Sequence, residues 1–382
     1  MPLNFFQRIS SMLFVIIFIM ICATAKADVD EIRLFVPAFK GPNNLGKNVA
    51  TILNLQVWRT LRMEPDRDPQ GENFGLGMIV WSESSLANAS HVFAEETATS
   101  DNISSQFVLW GETFPYGNGM ITQTYLSIPV FGHYERDGMK LNDFRDNYYE
   151  IWKLPIRVNQ KSILLEVDIP NRRYEFSPII LSQSIVNQYS LPSKLTMYID
   201  ADKRSKVIGE VGNKYIGIEP SGHYQKVYSD GKRGWVYLPD LAKEQNEVVN
   251  FIGGLIRIYR ADWHGAKDLM DKVITNKSTP VALKIDALLY KGRCLEEIGE
   301  SGESAFKLAY RLNQYNHYTI RFWMMSRLSK LIRIRQENVK SLSFKENLKK
   351  TKLLVAENEF LFSQNDPWLI EVVKILNEME KG

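Results

Sequence analysis

The chain has 382 residues, of which 45% are hydrophobic, 12% aromatic and 24% charged. That balance belongs to folded protein without low-complexity tracts, and the length exceeds what one hydrophobic core usually serves, so two or three domains are expected. A net charge of +3 excludes the strong basic footprint of a nucleic-acid binder, and no nucleic-acid partner is expected.

Residues 1–27 read as a cleavable export signal. "MPLNFFQRISS" carries Arg8, "MLFVIIFIMIC" is an apolar run, and "ATAKA" places the small Ala25 and Ala27 where a signal peptidase accepts them. The run from Met12 to Cys22 is about half the roughly 20 residues of a spanning helix. Cleavage after Ala27 and a periplasmic or secreted location are therefore expected, without an anchor. Cys22 follows bulky Ile21, where a lipidation box wants a small residue, so a lipoprotein is not expected. Cleavage leaves Cys294 as the remaining thiol and hence no internal disulfide. With no further apolar run of membrane length, the mature chain is expected to be soluble.

Residues 28–187 predict an α/β domain with a β-rich extension. "IRLFVPAF" has strand length, and "LGKNVATILNLQVWRTLR" places Val49, Ile52, Leu53, Val57 and Leu61 at helical spacing. After the polar loop "MEPDRDPQGENFG" come a strand at "LGMIVWS" and a weaker helix at "LANASHVFAEETAT". "QFVLWGETF" and "MITQTYLSIPV" form a hairpin across Tyr116-Gly117-Asn118-Gly119, in which Asn118-Gly119 supplies the positive φ. "EIWKLPIRV", "SILLEVDI" and "YEFSPIIL" add strands. "IRLFVPAF" followed by a helix, with "FVLWGETF" before "TYLSI", resembles the small α/β domains of periplasmic and outer-membrane assembly proteins of the Tol and curli-secretion kind.

Residues 188–243 carry turn signals at Asp200-Ala201-Asp202, Gly212-Asn213, Pro220-Ser221-Gly222 and Ser229-Asp230-Gly231 between short apolar runs. Turns this frequent predict a small closed or half-open barrel. Gly231 relieves a hairpin turn, Gly234 lets the next strand approach, and Trp235 either packs over an open barrel end or forms a half-exposed ligand platform with Tyr198, Tyr224 and Tyr237. A strand with Tyr198, "KVIGEV", the hairpin "GHYQKVYSDGKRGWV" and a final "YLPDL" together resemble the bacterial SH3-like domain. "LTMYIDAD" lacks the Arg usual in that family's first strand. The resemblance implies binding of cell-wall peptides or proteins.

From residue 244 to 382 helices are expected, beginning with two hairpins in "NEVVNFIGGLIRIYRADWHGAKDLMDKVI" and "PVALKIDALLYKGRCLEEIGESGESAFKLAYRLNQYN". Gly254 and Ala266 sit as the small positions of a tetratricopeptide repeat do, and the array resembles a degenerate one. The Ala266 to Ala305 interval is longer than the usual repeat of about 34 residues. "IRFWMMSRLSKLIRIRQ" and "WLIEVVKILNEMEKG" continue the helices, which must stack on neighbours to bury their faces.

Reactive chemistry is sparse. Cys294 lies among helix formers in "YKGRCLEEIG", the setting of a core thiol. His91, His133, His223, His264 and His317 are scattered without metal-ligand spacing. No nucleophile elbow, phosphate loop or dinucleotide fingerprint occurs, and Glu95-Glu96, Asp200 and Asp202 read as solvated carboxylates. The basic stretch from Arg327 to Lys352, interleaved with Leu328, Leu331, Ile332 and Ile334, is either a solvated helix face or a weak contact for an anionic surface.

The expectation is a multi-domain α+β protein: an N-terminal α/β domain, a small SH3-like β-barrel and a C-terminal α-helical, tetratricopeptide-like array. Its expected role is that of an exported, non-enzymatic envelope binding or scaffold protein, with no cofactor or metal, that recognises cell-wall peptide or glycan or envelope proteins. The alternative is an envelope enzyme with its active site near Ser82, Glu83 and Glu112, the barrel serving to target it.

Overall fold

The computed structural model describes residues 34–61, 80–81, 86–100, 105–129, 135–136, 139–140, 152–158, 161–239, 241, 247–338 and 341–381. The export signal, His133, Ser82 and Glu83 lie outside the described residues. Ten α-helices and four sheets, one of them the two-stranded pair β5 (Glu135–Arg136) and β6 (Met139–Lys140), make the described chain a mixed α+β protein.

The N-terminal sheet runs β1 (Leu34–Phe35), β3 (Phe107–Tyr116), β4 (Gly119–Ser127), β10 (Ile179–Leu181), with β9 (Arg173–Glu175) also pairing with β4. β1 is parallel to β3 and the remaining pairs are antiparallel. In the β3–β4 hairpin Tyr116 pairs with Gly119, and the positive φ of +56° belongs to Gly117 rather than to Asn118-Gly119. Glycine at the first central position suits the twist of the flanking strands. Helix α2 (His91–Ala98), whose N-cap Ser90 accepts from the Phe93 amide, covers Phe35, Val108 and Trp110.

Helix α1 (Leu45–Leu61) is buried along most of its length and fastens the parts of the chain together. The Asn48 amide donates to the carbonyls of Tyr189 (2.9 Å) and Pro192 (2.8 Å), Asn54 donates to the Tyr215 hydroxyl (2.7 Å), and Gln56 donates to the Pro239 carbonyl (3.0 Å). At the other end, Arg257 donates to the terminal carbonyls of Thr60 (2.9 Å) and Leu61 (2.8 Å), which no intrahelical N–H can reach.

The six-stranded sheet has the order β12 (Val207–Glu210), β11 (Thr196–Tyr198), β15 (Lys232–Tyr237), β14 (Tyr224–Ser229), β13 (Lys214–Ser221), β2 (Val80–Trp81). Strand β2, expected within the α/β unit, instead pairs antiparallel with β13. Asp230 (φ +49°) and Gly231 (φ +76°) occupy the two central positions of the β14–β15 turn, the pattern Asp-Gly favours in a two-residue hairpin. A Cβ on Gly234 would lie 2.8 Å from Ile208 Cδ1 and 3.0 Å from Met197 Cβ, so the close strand approach is real. Gly231→Ala is expected to cost roughly 1–2 kcal/mol, because an L side chain pays that in the left-handed region; a denaturant midpoint left unchanged would contradict it.

The hairpin of β7 (Trp152–Val158) and β8 (Lys161–Val167) buries Trp152, Ile156, Leu165 and Val167 against the C-terminal helices, with Trp152 5.5 Å from Phe322. Those helices are α4 (Glu247–Tyr259), α5 (Trp263–Thr275), α6 (Val281–Glu297), α7 (Glu303–Leu312), α8 (His317–Asn338), α9 (Leu342–Asn358) and α10 (Pro367–Lys381), each packed on its chain neighbour. Gly254 lies against Met270 between α4 and α5, and Ala266 is buried there. The secondary structure changes character near residues 187 and 243, but the core does not stop there: buried apolar residues from Leu34 to Cys294 form one cluster. No helix among the described residues is long and apolar enough to cross a membrane.

Candidate functional site

Alternation along the sheet sorts its residues onto two faces. Met197, Gln225, Val227, Ser229 and Val236 are buried on the inner face, which leaves Tyr198, Tyr224, Lys226, Tyr228, Trp235 and Tyr237 half-buried on the outer one. Register places Tyr198 opposite Trp235 and Tyr224 opposite Tyr237. The four aromatic residues singled out from sequence therefore share one outward face. The Tyr224 and Tyr237 rings meet edge to face at 5.4 Å and 71°, the arrangement their quadrupoles favour. The Lys226 ammonium is 5.4 Å from the Trp235 ring and 2.7 Å from the Glu219 carboxylate. Trp235 packs on this face and is absent from the apolar clusters.

The loop between β11 and β12 folds onto the same face. The Asp200 amide donates to Ser205 Oγ (3.2 Å), Arg204 pairs with Asp202 (3.0 Å), and the Lys203 amide donates to the Tyr224 hydroxyl (2.8 Å). The Lys203 ammonium is thereby held 3.4 Å from the centre of the Tyr237 ring, a cation–π contact, and burial lowers its pKa.

Beside this face lies a groove of about 240 Å³ between Tyr198 and Tyr237 on the sheet and Tyr189 and Pro192 opposite, with Lys194 and Lys203 among its lining. Its far wall comes from α3 (Gln183–Tyr189), N-capped by Ser182 through the Ile185 amide. The two Asn48 hydrogen bonds to Tyr189 and Pro192 fix that wall to α1. Burial, then the nearby Tyr237 and Tyr198, push the Tyr189 hydroxyl well above the usual phenol range, so it remains protonated. No carboxylate from a described residue lines the groove.

Sequence reasoning passed over Tyr189, Lys194 and Lys203. Ser182 ahead of "QSIVNQY" was the available sign of the α3 wall. Nothing local marks Lys203, because its position over Tyr237 depends on how the 199–206 loop closes.

The other chemical candidates are tied into the fold. Cys294 is fully buried and its thiol is pushed up to about 12 by desolvation, so it is not a thiolate nucleophile. His91 is packed rather than superficial: its ring is edge-on to Trp110 (5.2 Å) and Tyr125 (5.6 Å), and Nδ1 lies 2.8 Å from Ser127 Oγ, which also accepts from Trp110 Nε1 (3.0 Å). Burial, then Arg173, lower the His91 pKa, and the fully buried Ser127 is closed to substrate. Glu95 pairs with Arg173 (2.7 Å), and Glu112 lies 3.6 Å from Lys40. In the basic stretch α8 ends at Asn338 and α9 starts at Leu342, with Leu328 and Leu331 in the core. Arg327, Arg333 and Lys352 pair with Glu303, Glu296 and Glu380, while Lys345, Lys349 and Lys350 remain exposed on α9.

Comparison with protein-family models, with curated proteins and with solved structures finds no match to this chain.

Proposed function

We propose that the chain is an exported, non-enzymatic binding protein of the cell envelope that takes an extended cell-wall polymer or partner segment across the outer face of the β11–β15 sheet. The observation that carries this reading is the assembly of Tyr198, Tyr224, Trp235 and Tyr237 on one half-exposed face beside an open groove. Aromatic residues left half in water offer large, rigid contact area at little entropic cost. The β13–β15 meander with its Asp230-Gly231 turn supports the SH3-like reading. Neighbour-on-neighbour packing from α4 to α10 supports a stacked, tetratricopeptide-like scaffold that presents the sheet. Export is supported by the apolar run and the small residues ending at Ala27.

Tyr237→Ala and Trp235→Ala, each introduced singly, are expected to reduce material captured from intact envelope by crosslinking at least tenfold, while the melting temperature moves by only a few degrees. Both side chains are half-exposed, and substitutions away from the core change stability little. Undiminished capture with both variants would show that ligand is held elsewhere.

A further inference from the structure

Resting on the proposed binding role of this face, we infer that the groove between α3 and the sheet selects a carboxylate-bearing sugar residue of an extended glycan, with Lys203 as the anion-pairing side chain and Tyr198 and Tyr237 as the ring-stacking surfaces. Three observations lead there.

Charge comes first. Many of the surface cations are matched: Lys226 with Glu219, Lys291 with Asp271, Lys307 with Glu303 and Lys352 with Glu380. Lys194 and Lys203 have no carboxylate within ion-pair distance among the described residues, and none lines the groove. Lys203 is exposed, with its ammonium seated over the Tyr237 ring. A cation held in place without a counter-charge leaves electrostatic stabilisation for an incoming anion to supply, and a charge-assisted hydrogen bond is the strong kind.

Size is the second. A volume of about 240 Å³ falls below the roughly 300–1,000 Å³ of pockets that swallow whole small molecules. With an open side, it suits one residue of a longer chain.

The third is the nature of the walls. They include Tyr189, Tyr198 and Tyr237 and not a free strand edge: β11 is paired on both sides, by β12 and β15. A peptide held by strand addition needs an unpaired ladder, which this groove lacks. A sugar needs flat apolar faces and hydroxyl partners. Tyr198 and Tyr237, half-buried beside the groove, offer the former.

The test uses the full chain and titrates oligogalacturonate, its methyl ester and oligo-glutamate, following tyrosine and tryptophan fluorescence or heat. The acid form is expected to bind at least tenfold more tightly than its ester, with affinity falling as salt is raised. Lys203→Met should bring the two sugars to within about twofold of each other, Lys203→Arg should restore the preference, and Tyr237→Ala should weaken both sugars. Equal binding of acid and ester overturns the anion assignment, as does failure to bind the acid form at all. Tighter binding of oligo-glutamate than of the sugar acid overturns the glycan assignment and points to acidic peptide. Envelope capture with Tyr237→Ala separates the levels: if capture is lost while Lys203→Met captures normally, the binding face stands and only the anion inference falls.

Discussion

Phe251→Ala is expected to lower the free energy of unfolding by about 3–5 kcal/mol, the usual cost of emptying a phenylalanine site in a core. Phe251 on α4 is fully buried, with its ring against Tyr174 (4.8 Å, 60°), Phe176 (6.1 Å) and Tyr290 (6.0 Å). Two of those rings come from β9 and the segment after it, and the third from α6. The side chain thus joins the N-terminal sheet to the helical array, and its edge-to-face contacts add to simple burial. Phe251→Leu, which keeps part of the volume, should cost markedly less. Urea melts followed by near-ultraviolet circular dichroism would settle the matter; a Phe251→Ala loss under about 1 kcal/mol would mean that the two parts are not held together here.

The second large effect concerns pH. Asp286, on α6 beside Tyr174 and Tyr290, is held by desolvation at a pKa of about 7, against an ordinary value of 3.8, with the Tyr174 hydroxyl partly offsetting the shift. Between those two values the folded chain keeps a proton that the unfolded chain has released. Stability therefore falls as pH rises from about 4 to 7, and above pH 7 the carboxylate is charged in both states and the whole cost is in place. At about 1.36 kcal/mol for each tenfold displacement of a proton equilibrium, the cost is on the order of 4 kcal/mol. Asp286→Asn removes the titration, so the variant should gain relative to the natural chain at pH 8 and gain little at pH 4.5. Melting curves for the two proteins that stay parallel across this range would refute the assignment. Arg293, about two helical turns farther along α6, is fully buried and carries its own desolvation penalty, which does not change over this window.

Much of the architecture is written locally. The helical period of α1, the Ser90 N-cap, the Asp230-Gly231 turn and the paired helices from Glu247 onward each follow from residues within a few positions of one another. What is not written locally is partnership. Nothing in "LGMIVWS" distinguishes a strand that joins β1 from one that joins β13, because strand pairing is decided by tertiary contact. The β7–β8 hairpin alternates as a half-buried hairpin should, yet which surface receives Trp152 and Leu165 depends on helices more than a hundred residues later. The site divides the same way. Its four aromatic residues lie in strands whose alternation could be read, whereas Lys203 and Tyr189 reach the groove through a loop closure and a short helix pinned by Asn48.

The antiparallel pairing of Val80 and Trp81 with Tyr215 and Lys214 bears on how this chain becomes native. A segment that leaves the ribosome early must wait for its mate until the β13–β15 meander has been made, and loop closure over such an interval is slow. Until that closure is made the β13 border is an open template for strangers. A recombinant fragment trimmed to residues 188–243 would carry the same bare border permanently, and self-association of that fragment, relieved by restoring the upstream residues, is its natural signature.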